Sequence, residues 1–164
     1  MLLSTKMYDC ILAPTDGSEE VEDALRYAFD LARAHDAMVH VLYVVNVAGY
    51  GGLPMETAWD GISDALHAEG DAAVERARSL APDDVAVETS VLEGSPSRTI
   101  VDHATPDRCD LVVMGTHGRG GIDRLLLGSV TERVVRQAAV PVLTVRVGDN
   151  DLNDPTAQSS VAID

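Results

Sequence analysis

Gly115, Gly118, Gly128 and Ser129 fall within one short stretch, "MGTHGRGGIDRLLLGSV" (114–130), between an apolar run and a helical pattern. Glycine permits φ > 0 and lets a ligand reach main-chain N–H groups without meeting a Cβ. Successive amides in such a turn form an anion-binding concavity. A helix opening at Ser129 adds its first unbonded N–H groups and the positive end of its dipole. Arg119 and Arg124 bring local positive charge. These are parts for holding phosphates, and none is a strong nucleophile or general base.

Each part also has a reading without a ligand. Ser129 followed by Glu132 fits a capping box, which any helix can carry. Glycines after a strand are ordinary turn residues. His117 can polarise a phosphate, yet its setting reads as a solvent-exposed loop histidine. His35, His40, His67 and His103 show neither HxH nor HExxH spacing, so metal ligation by them is not expected. Asp16 reads as a turn cap for Ser18 and its neighbours. Cys10 and Cys109, far apart and without a CxxC, read as two buried thiols; the alternative is a disulfide or metal role.

The elements that must position these residues follow from periodicity. "YDCILAP" (8–14) is a short apolar strand stopped by Pro14. A helix follows, with Ser18 as its expected N-cap and Val21, Ala24, Leu25, Ala28, Leu31 and Ala32 on one face. "AMVHVLYVV" (37–45) is β-branched and reads as a strand. The glycine-rich 46–61 segment reads as a loop, and a second helix spans about 56–80, with Ile62, Leu66, Ala73, Val74 and Ala77 inward. A half-exposed strand is expected over 85–94, then a helix with Ser95 as N-cap and Pro96 at its first position. "CDLVVMG" (109–115) is an apolar strand, 129–139 a helix and "VPVLTVRV" (140–147) a last strand. Residues 148–164 carry no periodic pattern and read as an acidic, disordered tail.

Strands alternating with helices predict an α/β fold, a parallel sheet covered on both faces in a three-layer open sandwich. Ligands in such folds bind beyond the carboxyl ends of the strands, where the winding reverses. "PTDGS" and "GTHGRGG" both lie at that end.

Composition bounds the partners. Among 164 residues, 27 are acidic and 12 basic, a net charge of −15. Lys6 is the sole lysine, which leaves eleven arginines. This balance repels nucleic acid and anionic membranes at long range, so neither is expected as a partner. At molar salt the screening length falls to about 3 Å and self-repulsion largely disappears. A salt-rich cytoplasm, as in a halophilic archaeon, fits the surface; an acidic mesophilic protein is the alternative. No apolar run approaches the roughly 20 residues of a membrane span. The start, "MLLSTKMYDC", reads as no signal peptide, and a cytoplasmic location is expected.

G-x-x-G, nine residues, then G-S occurs here as Gly115, Gly118, Gly128 and Ser129. It resembles the ATP-binding pattern of the universal stress protein family. "ILAPTDGSE", "VLEGSPSRTIVDHA" and "DLVVMGTHGRGGIDRLLLGSVTERVVRQAAVPVLTVR" extend the likeness over roughly residues 7–147. The resemblance implies a Rossmann-like, adenine nucleotide α-hydrolase-like fold of five parallel strands in order 3-2-1-4-5. It assigns residues 1–147 to that domain. It places Gly115, Gly118, Arg119, Gly128, Ser129 and Val130 around phosphates and ribose. Pro14, Thr15 and Asp16 would line the adenosine side, Val44 would offer backbone groups to the adenine edge, and Met114 would pack near the nucleotide. It further implies a homodimer through the fifth strand (140–145) and Mg²⁺ beside the phosphates. The function so implied is a stress-response protein that holds ATP rather than consuming it quickly. A slow ATPase or nucleotide hydrolase is the enzymatic alternative, although the SGGxDS-type loop of such hydrolases is replaced here by "PTDGSEE". A nucleotide-independent dimeric adaptor is the third.

Overall fold

The computed structural model describes residues 6–48, 56–117 and 127–147, with the side chains of 56–59 left aside. Its elements run β1 (Cys10–Pro14), α1 (Glu22–His35), β2 (Met38–Val45), α2 (Glu56–Ser79), β3 (Val87–Glu93), α3 (Pro96–His103), β4 (Leu111–Gly115), α4 (Ser129–Gln137) and β5 (Val142–Val145). The sheet order is β3-β2-β1-β4-β5, and every pairing is parallel. This is the expected order. The expected tail (148–164) lies outside the described residues, as do 49–55 of the glycine-rich segment.

β1 sits at the centre because it is apolar on both faces: Ile11, Leu12 and Ala13 are fully buried. Ile11 pairs with Val39 on one side and Leu111 on the other. Alternation along the strands then splits the core into two layers. Ile11, Ala13, Val39, Val41 and Val113 face α1 and α2, packing on Leu25, Phe29, Val74 and Ala77. Leu12, Leu42, Val112 and Met114 face α3 and α4, packing on Ile100, Ala104 and Val134. On the first face α2 lies so close to the sheet that a Cβ at Gly70 would stand 2.7 Å from Val91 and 2.8 Å from Tyr43.

Three local expectations are corrected. Ser18 does not cap α1: its amide and hydroxyl both donate to Asp16 Oδ1, at 2.9 and 2.6 Å, and the helix starts at Glu22 with Val21 in the cap position. The Asx turn at Asp16 takes the serine first. The Ser129–Glu132 capping box is also not formed; Gly128 holds the cap position without a side-chain bond, while Glu132 pairs with Arg136 at 2.8 Å. Finally, the fourth strand begins at Leu111 rather than at Cys109.

Candidate functional site

Two strand exits build the site. At the end of β1, the Thr15 amide donates to the Leu42 carbonyl at 2.9 Å, keeping the chain on the sheet one residue beyond the strand. The turn then closes on itself: the Gly17 amide donates to Thr15 Oγ1 at 3.1 Å, and Gly17 adopts φ 79°, a left-handed geometry that favours glycine. The Arg76 guanidinium, reaching from α2, donates to the Gly17 carbonyl. This fixes Asp16 between a strand end and a turn anchored from two sides.

At the end of β4, the Thr116 amide donates to the Val145 carbonyl at 2.9 Å. The entry of α4 returns to the same point. Gly128 donates its amide to the Thr116 carbonyl at 2.8 Å, and the buried Thr131 hydroxyl donates to the Gly115 carbonyl at 2.9 Å. The first helical bond of α4 is Glu132 N–H to Gly128 C=O, at 2.9 Å. The amides of Ser129, Val130 and Thr131 therefore precede the helical ladder, with no side-chain cap over them.

Gly115 and Gly128 earn their place by close approach rather than by backbone handedness. A Cβ on Gly115 would stand 3.0 Å from Val147 and 3.2 Å from the His117 carbonyl oxygen; one on Gly128 would stand 3.2 Å from the His117 Cα. Gly128 has φ −58°, and the positive-φ glycines among the described residues are Gly17 and Gly94.

Between these exits lies a cleft of about 620 Å³, within the usual size range of small-molecule sites. Pro14, Thr15, Asp16, Val44, Met114, Gly115, Gly128, Ser129 and Val130 all line it. Gly118, Arg119 and Arg124 lie outside the described residues. His117, read from sequence as a solvent-exposed loop histidine, is half-buried in the cleft wall. Its Nδ1 lies 3.2 Å from Thr116 Oγ1. Sequence reasoning also passed over Asn46, Pro96, Ile100 and Thr131 as lining residues. Pro96 had a usable signal, since it opens a helix directly after a strand and so lies at the carboxyl end of the sheet. Ile100 had none, because it reaches the cleft by packing across the α3 face.

The lining divides cleanly. Val44, Ile100, Met114, Pro14 and Val130 offer an apolar wall for a flat, weakly polar group. The exposed start of α4 offers donors to an anion. Asp16 is the one carboxylate among the described lining residues, and its Oδ1 is already engaged by Ser18. No group of three potential metal-ligating side chains occurs among the described residues.

A parallel sheet wound in both directions from β1, with a cleft where the winding reverses, defines a doubly wound α/β domain. The profile of the universal stress protein family matches residues 7–146. Universal stress protein MJ0531 of Methanocaldococcus jannaschii is 43% identical over 141 residues, covering 85% of this chain and 83% of that protein. A relative from Thermus aquaticus is 35% identical over 143 residues, covering 85% of this chain and all of that one. The chain belongs to the universal stress protein family. Among solved structures, that of protein MJ0577 superposes with a TM-score of 0.77 at 30% identity, covering 87% of this chain and 99% of that one. A universal stress protein in complex with cAMP superposes with a TM-score of 0.59 at 26% identity, covering 86% and 98%.

Proposed function

We propose that this chain is a nucleotide-binding regulatory protein of the stress response that holds ATP in the cleft between β1, β4 and α4. The observation that carries the reading is the start of α4: three amides ahead of the helical ladder, uncapped by any side chain, at the edge of an apolar slot. In that slot Val44 and Met114 receive the adenine, and Pro14, Thr15 and Asp16 flank the ribose side. Gly115, Gly128, Ser129 and Val130 carry the phosphates, and the family pattern assigns Gly118 and Arg119, outside the described residues, to the same role. The complex of a family member with cAMP supports an adenine nucleotide as the ligand class.

Mg²⁺ accompanies the phosphates in this reading. The residues present fit it in a limited way: phosphate oxygens and water would supply most of its ligands, as that ion ordinarily requires, with Asp16, held by Ser18, as the one nearby carboxylate among the described lining residues. Its contribution is to neutralise phosphate charge.

The protein holds its ligand rather than turning it over quickly, since the one lining carboxylate among the described residues is committed to a turn. It works in the cytoplasm as a homodimer through β5, an edge strand paired on β4 alone among the described strands. Leu143 on that strand and Val135 on α4 are 36% and 45% exposed, an apolar surface suited to a second copy.

Calorimetry of the full chain with ATP, AMP and cAMP, in molar KCl with Mg²⁺, tests the reading. ATP is expected to bind most tightly. No heat with any adenylate overturns the proposal, and a preference for AMP or cAMP replaces its ligand.

A further inference from the structure

Cys10 and Cys109 are both free and both buried. Ninety-eight residues separate them in sequence, yet they share one apolar cluster with Leu12, Ile100, Ala104 and Val112. Alternation extrapolated from Leu111 would send Cys109 to the opposite face from Cys10. The chain bends at Asp110 before β4 begins, and this turns Cys109 onto the Cys10 side. Two bonds fix the approach: the Asp110 amide donates to the Cys10 carbonyl at 3.0 Å, and the Cys10 amide donates to Asp110 Oδ1 at 3.2 Å. The two thiols come close enough to influence one another's ionisation.

We infer that Cys10 and Cys109 form a reversible dithiol–disulfide site that takes a hydroperoxide as its oxidant. The pair lies at the amino ends of β1 and β4, opposite the cleft, so the inference is independent of what the cleft holds.

The two sulfurs have different parts. Cys10 is the more accessible, 8% exposed against 1% for Cys109. That greater access makes Cys10 the attacking sulfur and Cys109 the resolving one. The neighbouring Cys109 thiol also holds the Cys10 thiol below its ordinary value, against the opposing effect of burial. Cys10 Sγ attacks one peroxide oxygen; the S–O bond forms, the O–O bond breaks, and the alcohol (water, from hydrogen peroxide) leaves with the Cys10 proton. Cys109 Sγ then attacks the sulfenic acid; the S–S bond forms, the S–O bond breaks, and water leaves with the Cys109 proton. Two thiols are oxidised and one peroxide is reduced, so the step balances. Thiol exchange with a reductant restores the pair.

The test treats the reduced full chain with hydrogen peroxide, then alkylates it in denaturant for intact-mass measurement and peptide mapping. Expected are loss of both alkylation sites, a linked peptide joining Cys10 to Cys109 within one chain, and recovery with dithiothreitol. The Cys109→Ala chain is expected to stop at a Cys10 sulfenic acid that dimedone captures. The inference is overturned if both thiols of the natural chain still alkylate, if they oxidise separately to sulfinic acids, or if the linkage joins two chains. The measurement on the natural chain decides the matter even if the variant does not fold.

Discussion

At the amino ends of β1 and β4, the Asp110 carboxylate accepts the Asp9 amide at 3.0 Å and the Cys10 amide at 3.2 Å. At the carboxyl ends of the same strands, α4 starts at Ser129 behind the Gly128 cap, with no side chain over its first amides. One end closes its donors with a carboxylate from its own chain. The other leaves donors in front of a cleft. Polar backbone left without an internal partner costs stability unless water or a ligand takes it. The uncapped end thus leaves its donors to water or to whatever enters the cleft.

The sharpest way to break this contrast is at Gly128. Gly128→Leu puts a side chain against His117 and across the first amides of α4, so ATP affinity is expected to fall at least about a hundredfold, or about 2.7 kcal/mol. Calorimetry in molar KCl measures it; unchanged affinity would move the ligand away from the open end. The capped end behaves oppositely. Asp110→Ala strips the Asp9 and Cys10 amides of their acceptor and is expected to cost about 2 kcal/mol in urea unfolding, with ATP affinity unaltered. Asp110→Asn, which keeps an acceptor oxygen, is expected to lose less. A shift in ATP affinity with Asp110→Ala would mean that the ends are coupled through β1 and β4.

The element order was legible because each segment carries one clear period, and the cleft's position followed from strand direction alone. The two misplaced caps show where local rules fail. Ser18 and Ser129 are both good cap residues, but Ser18 is claimed by Asp16, and Ser129 is already the first helical residue, with the cap one position earlier on Gly128. Local competition between side chains decides such cases, and periodicity does not weigh it. Ile100 in the cleft and Cys109 beside Cys10 were out of reach for another reason. The first depends on how α3 packs across the sheet, the second on the register of β4 against β1 and on a bend at Asp110, and no spacing within the sequence encodes either.

Salt sharpens the comparison by acting on the whole surface instead of one end. Lowering KCl from molar to about 0.1 M lengthens the screening distance to about 10 Å. With a net charge of −15, the chain is expected to lose several degrees of melting temperature, equally in the natural chain and in Asp110→Ala. An unchanged melting temperature would remove the salt-adapted reading of the surface.

The smallest effect belongs to neither end. His40, half-buried on β2, has Nε2 2.8 Å from Ser90 Oγ and its ring edge-on to His103. Burial pushes its pKa below the ordinary 6.5, opposed by Glu88 and assisted by His103 and Arg108. The unfolded chain thus takes this proton at a higher pH than the folded one. Stability is expected to fall as pH drops through about 6.5 and to level off below the folded value. Urea unfolding at about pH 7.5 and about pH 5.5 should show a smaller difference in His40→Gln than in the natural chain.

Gly70 limits how α2 itself can be altered. Helix propensity alone scores Gly→Ala in mid-helix as a gain of about 1 kcal/mol. Here the new methyl would collide with Val91 and with Tyr43, and Tyr43 is itself a wall residue of the cleft. A single methyl on this helix is therefore expected to cost stability rather than add it, because α2 sits on β2 and β3 with no room for one.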